Sequence, residues 1–255
     1  MRPRLDLSSL VLCLVLPMAV AGQQFPPLAP EVAAGVGELQ PCEVPGSVEP
    51  ARCGTYRVWE NRTERSGRTI DLSFVILPAL DSAQAARDVI LPLPGGPGQS
   101  LIEAAPRFAQ AAHLRTRDVL LVDVRGVGQS QSLDCPDFEI DVADRFGTVF
   151  PMEHVRACRD ALAERARLDL YTTDLSVDDL EELRIWLGYE AVNLTGVSYG
   201  TRVAQVYMRR HPDAIRTVVL NSVAPVFELG YVHMARSLER SLDLVVSDPI
   251  EELGK

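Results

Sequence analysis

Between Asp88 and Asn221, short apolar runs alternate with longer stretches of helical period, and this alternation limits the possible folds more than any other feature of the 255-residue chain. The apolar runs are Asp88 to Leu93, Asp118 to Asp123, Ala191 to Thr195 and Ile215 to Asn221. Helix candidates fall at Ser100 to Leu114, Met152 to Arg167, Ser176 to Leu187 and Tyr199 to Arg210. Strands covered on both faces read as continuous apolar runs, and parallel neighbours need a helix-length crossover. The pattern therefore predicts a mostly parallel sheet with helices on both faces. Two earlier strand-like runs, Gly54 to Trp59 and Thr69 to Pro78, flank a polar turn and predict an antiparallel hairpin ahead of the parallel series. Ser176 followed by Asp179, with Asp178 and Glu181 close behind, predicts a helix start at Ser176 through capping and the helix dipole.

An apolar share of 47% with 24% charged residues is enough to bury a large core. The net charge of −10 repels nucleic acid and anionic membrane surfaces, so neither is expected as a partner. Arg2 and Arg4 precede an apolar run from Leu7 to Ala21 that closes with Ala19, Val20 and Ala21. This reads as a secretory signal peptide cleaved near Ala21, because the run falls short of the ~20 residues that a membrane-spanning helix needs. Beyond it stand Cys42, Cys53, Cys135 and Cys158, an even set in a chain bound for an oxidising compartment. Two disulfides are expected, and sequence proximity favours Cys42 with Cys53 and Cys135 with Cys158. The spacings lack a close C-x-x-C pair, so no metal is expected, and nothing implies an organic cofactor. The chain divides into a signal peptide at 1–21, a Pro-, Ala- and Gly-rich linker at 22–41, a core at 42–225, and a lid start or divergent tail at 226–255.

Gly196-Val197-Ser198-Tyr199-Gly200 lies directly after one apolar run and directly before a helix candidate. A serine on a sharp strand-to-helix turn leaves little room two residues before and two after, which is where glycine stands. This is the spelling of a nucleophile elbow, with Ser198 as the nucleophile and the helix N-terminus beneath it favouring developing negative charge. A second loop, Pro94-Gly95-Gly96-Pro97-Gly98-Gln99, also ends a strand and opens a helix. Oxyanion donors in such a site are backbone N–H groups, one from Tyr199 and one from this loop. Pro97 has no N–H, so Gly96 is the expected donor, with Gly95 and Gly98 shaping the loop. The third segment runs from Asp123 through Arg125, Gly126 and Gly128 to Ser130. Asp123, Arg125 and Ser130 are expected to tie a tight turn that passes beneath the active-site loop, a structural role.

Two leading antiparallel strands, a parallel series and an elbow serine predict the α/β-hydrolase fold. The trio of Gly-Gly-Pro-Gly-Gln-Ser, Asp-x-Arg-Gly-x-Gly-x-Ser and Gly-x-Ser-Tyr-Gly-Thr resembles the exported α/β-hydrolases grouped with prolyl and tripeptidyl aminopeptidases. The likeness runs from about Cys42 to Pro225. It implies a serine hydrolase acting through an acyl-enzyme on peptide or ester substrates. Pro94 stands where prolyl aminopeptidases begin their oxyanion loop with histidine, which points towards the tripeptidyl type. In this fold the triad order is serine, acid, histidine, with the last two on loops after later strands. His211 and His233 are the only histidines after Ser198. His211 sits at the far end of the elbow helix and His233 in the lid start, so the triad acid and histidine are expected to be absent from this chain, with the sheet cut off before its last strands. A carboxylesterase or lipase-like enzyme with the same nucleophile, and a catalytically dead fragment, are the alternative readings.

Overall fold

The computed structural model describes residues 39–81, 86–109, 116–135, 151–227 and 230–247. The signal peptide, nearly all of the linker, positions 110–114 of the helix expected from Ser100, and residues 248–255 lie outside that set.

Among the described residues, seven strands form one sheet. β1 (Gln40–Cys42), β2 (Ala51–Trp59) and β3 (Thr69–Leu77) make an antiparallel meander. The polar turn between β2 and β3 is closed by Asn61, whose Oδ1 accepts the N–H groups of Thr63 and Glu64 at 3.1 Å each. β4 (Asp88–Leu93), β5 (Val119–Val122), β6 (Ala191–Val197) and β7 (Ile215–Asn221) follow, in the sheet order β1-β2-β3-β5-β4-β6-β7. β3 meets β5 antiparallel, while β5 with β4, β4 with β6 and β6 with β7 are parallel. The helices are α1 (Ala105–Phe108), α2 (Met152–Ala163), α3 (Thr173–Leu187), α4 (Tyr199–Arg210) and α5 (Gly230–Ser247). The chain leaves β4 for β5 on one side and returns to β6 on the other. The strand order thus reverses at β4, and the carboxyl ends of β4 and β6 border a crevice of the kind where open α/β sheets bind ligands.

Alternation within the strands builds two cores. Leu72, Phe74 and Ile76 of β3, Leu120 and Val122 of β5, and Leu91 and Leu194 pack with Leu180 and Leu183 of α3 and Val203 and Tyr207 of α4. Val75 and Leu77 of β3, with Val119 and Leu121 of β5, turn the other way and meet Leu101 and Ala105. Both faces of β5 are therefore buried, which is why its sequence shows no polar alternation.

Several element boundaries differ from the sequence reading: β1 occupies the end of the expected linker, β2 starts at Ala51 and not Gly54, α2 ends at Ala163 and not Arg167, and the starts of α3 and α1 are shifted by competition for polar groups. α3 starts at Thr173, with Thr172 as its cap: the Thr172 side chain accepts the Leu175 N–H at 3.4 Å, and Asp174 supplies the first-turn acid. Ser176 is already inside the helix. Asp178 and Asp179 serve tertiary ion pairs with Arg210 and Arg125 instead of complementing the dipole. The helix expected from Ser100 begins only at Ala105. The amides of Leu101 and Ile102 are taken by the Asp123 carboxylate, and Pro106 has no N–H, so it fits only in a helix's first turn. The disulfides follow sequence proximity: Cys42 with Cys53 ties β1 to β2, and Cys135 with Cys158 ties the segment after Ser130 to α2.

Candidate active site

β6 ends at Val197, α4 begins at Tyr199, and Ser198 is the joint between them. Its backbone lies at φ 52° and ψ −118°, a conformation that costs a residue with a side chain about 1–3 kcal/mol unless its surroundings enforce it. They do so here. The Ser198 N–H donates to the Asn221 carbonyl at the end of β7 at 3.0 Å. The Ser198 carbonyl accepts the Thr201 N–H at 3.0 Å and the Thr201 hydroxyl at 2.6 Å. Both flanking glycines are required sterically. A Cβ on Gly200 would lie 1.9 Å from the Leu93 carbonyl oxygen, and one on Gly196 would lie 2.7 Å from the Gly200 carbonyl oxygen. β4, β6 and α4 therefore meet backbone to backbone under the serine, whose own side chain is exposed.

The glycine loop sits against this joint. Gly95 abuts the serine: a Cβ there would lie 3.5 Å from the Ser198 Cβ. Gly96 and Gly98 occupy φ 104° and φ 101°, a region open to glycine, and Pro97 lies between them. Loop and serine share a cleft of about 990 Å³, at the upper end of what small-ligand sites enclose. Leu93 and Phe108 give it apolar wall, Gln99 gives a polar one, and Glu103 and Arg107 line it with opposite charges. The cleft opens at the strand-order reversal.

The third segment turns out to be a junction between the cleft and the rest of the fold. Asp123 is fully buried and its carboxylate bonds the residues following the glycine loop as well as Gln129 in its own turn. Ser130 donates its hydroxyl to the Asp123 carbonyl at 2.6 Å and accepts the Ser73 N–H of β3 at 2.8 Å. Arg125 differs from the expectation that it would tie this turn. Its guanidinium points away from the turn and forks onto Asp179 of α3 at 2.7 and 2.8 Å, with further bonds to the carbonyls of Glu60 and Leu170. A buried guanidinium needs a carboxylate as well as carbonyls, and Asp179 of α3 supplies it. Arg62 joins the same Asp179 and also Glu182, which fastens the β2–β3 turn to α3.

Two residues that the sequence reading did not single out complete the elbow. Thr201, fully buried, accepts the Ala224 N–H at 2.8 Å while its hydroxyl holds the Ser198 carbonyl. Gln205 donates to the Ala224 carbonyl at 3.1 Å. Together they clamp the segment leaving β7 onto α4. The only sequence signal for this was the threonine directly after the elbow. Tyr199, whose N–H is the expected oxyanion donor, is anchored through its hydroxyl to Thr173 Oγ1 at 2.7 Å. Among the described residues no histidine lines the cleft. His211 closes the far end of α4, about 18 Å of helix rise from Ser198, with its Nε2 3.0 Å from Asp178. His233 falls on α5.

A sequence family described as alpha/beta hydrolase fold matches residues 88–251. The tripeptidyl aminopeptidase of Streptomyces lividans is 28% identical in an alignment of 193 positions that covers 69% of this chain and 36% of that protein. Serine protease Hip1 of Mycobacterium tuberculosis is 25% identical in an alignment of 240 positions that covers 84% of this chain and 44% of that protein. Among solved structures, an epoxide hydrolase mutant of Vigna radiata covers 68% of this chain and 40% of its own at 19% identity and a TM-score of 0.40. The chain spans less than half the length of these relatives. The family match extends from β4 through the elbow and into α5, more than half of the chain, and the chain belongs to the alpha/beta hydrolase fold family.

Proposed function

We propose that the chain carries the nucleophile and oxyanion half of an exported serine hydrolase, an aminopeptidase of prolyl or tripeptidyl type. The observation that carries the proposal is the enforced φ of 52° at Ser198, between two glycines that cannot be replaced, at the mouth of a cleft shared with the glycine loop. Strained backbone that persists because its surroundings demand it is concentrated at functional sites. In this mechanism the Ser198 hydroxyl loses its proton to a general base as its Oγ bonds to the substrate carbonyl carbon. The carbonyl oxygen gathers negative charge beside the N–H groups of Tyr199 and Gly96. Collapse of that intermediate expels the substrate amine, which takes up the proton, and leaves an acyl-enzyme for water to hydrolyse. The general base comes from outside the cleft-lining residues described above. Names among the relatives, tripeptidyl aminopeptidase and serine protease, support a peptide substrate, and Pro94 at the head of the glycine loop supports the tripeptidyl type. The two disulfides and the Leu7 to Ala21 run support export.

The test is phosphonylation by a fluorophosphonate probe followed by peptide mapping, on the 255-residue chain and on the product of its reading frame continued to the stop codon. Label on Ser198, absent in Ser198→Ala, is the expected result in the longer product. Label in both places a working base within residues 1–255, and label in neither rejects the nucleophile. Faster turnover of free-amine tripeptide amides than of p-nitrophenyl esters supports the peptidase assignment, and the reverse order assigns an esterase.

A further inference from the structure

We infer that Asp123 is a positioning residue of the oxyanion loop, holding the loop's trailing end in register with Ser198; this rests on the nucleophile proposed above. The leading end of the loop is located by contact, because Leu93 and Pro94 present their carbonyls to Gly200 at a separation that admits no side chain. The trailing end packs Leu101 into the core beside Val75 and Leu121, and its polar groups converge on one acceptor. That acceptor is a carboxylate with no exposure to solvent. Asp123 Oδ1 accepts the Leu101 N–H at 2.8 Å and the Ile102 N–H at 3.3 Å, and the Ser100 hydroxyl lies 2.9 Å from both carboxylate oxygens. Oδ2 accepts the Gln129 N–H at 3.1 Å. The Ser100 hydroxyl in turn accepts the Glu103 N–H at 3.1 Å. The carboxylate is seated by β5, whose next residue it is, and by Ser130 on its main-chain carbonyl. Gly128 leaves the space it occupies, since a Cβ there would lie 2.2 Å from Oδ2.

Residues 94–99 are thus a short span fixed at both ends, and the direction of the Gly96 N–H follows from where those ends are. A charged acceptor with several donors is a stiff mount, as charge-assisted bonds are shorter and stronger than neutral ones. Oxyanion donors contribute only when they are aimed before the reaction begins.

The experiment compares Ser100→Ala, Ser100→Thr and Asp123→Asn with the unmodified protein, in the 255-residue chain and in the longer product. Ser100→Ala removes one bond to the carboxylate and leaves its charge and backbone donors in place. Asp123→Asn turns one acceptor into a donor that faces other donors. The expected outcome is kcat reduced about tenfold in Ser100→Ala and about a hundredfold in Asp123→Asn, with KM within twofold, since small misplacements of catalytic groups cost rate and not binding. Ser100→Thr keeps the hydroxyl and restores the rate. Unchanged kcat in Ser100→Ala, or equal losses in the alanine and threonine variants, overturns the inference. If the unmodified protein shows no label on Ser198 in either form, the nucleophile is rejected instead. The hold on the loop is then read from hydrogen exchange: faster exchange at residues 95–102 in Ser100→Ala, with residues 199–203 unchanged, upholds it, and identical exchange overturns it.

Discussion

At the scale of single residues, the elbow depends on atoms that are missing. Gly200 brings α4 so close to the end of β4 that its hydrogen occupies the only space a side chain could take. Gly200→Ala must therefore separate β4 from α4 or leave the protein unfolded, at a cost above the ~3 kcal/mol typical of overpacking. Chemical denaturation of the variant is expected to show a loss of at least that size, with no phosphonylation of Ser198 in whatever remains folded. Thr201 shows the complementary case, an atom present for a reason that local sequence does not reveal. Its buried hydroxyl donates to one carbonyl and accepts one amide from the segment after β7, more than twenty positions later in the chain.

At the scale of elements, helix boundaries were decided by competition for polar groups. A run of threonine, aspartate, serine and two aspartates offers several starts for α3. Thr172 wins because its extended backbone, φ −109° and ψ 159°, lets its side chain reach back to the Leu175 amide, whereas Ser176 donates its own N–H to the Thr172 carbonyl. Thr172→Ala is expected to lower stability by about 1 kcal/mol, and Ser176→Ala by less than half of that, measured by urea denaturation. The acids of the same run are drawn elsewhere: Asp179 is gripped by Arg125 and Arg62, and Asp178 by Arg210 and His211. These pairs link α3 to the β2–β3 turn, to the segment after β5 and to the end of α4.

At the scale of the whole molecule, the partners of Asp88 and Asp178 make stability depend on acid. Burial raises the Asp88 carboxyl, but bonds from Asn193 at 2.7 Å and Arg117 at 3.0 Å outweigh it and hold the group below the usual carboxylate range. For Asp178, burial is likewise outweighed by His211 and Arg210, and its carboxyl is also lowered. A lowered folded value means that the stabilisation is present above the unfolded value of about 3.9 and is lost as pH falls through the folded one. Urea midpoints are therefore expected to hold steady from pH 7 to about 5 and to drop below pH 4. Asp88→Asn should start from a lower midpoint and show a shallower acid limb, and an unchanged limb would show that Asp88 does not contribute to it.

The sequence by itself determined the order of strands and helices from β2 to β7, the hairpin ahead of the parallel series, the disulfide partners and the two glycine-rich loops that converge on Ser198, while the short β1 at the end of the expected linker was not legible in it. Those features are written in local pattern: apolar runs too continuous for a solvent-facing strand, glycines at positions where a turn must be tight, cysteines close enough along the chain to meet. Tertiary structure alone decided where Arg125 points, which threonine caps α3, and that Asp123 holds the neighbouring loop instead of only its own turn. A buried charge takes the partner that the packed fold brings within reach. The carboxylate that receives Arg125 lies 54 positions away along the chain, a separation at which spacing carries no signal.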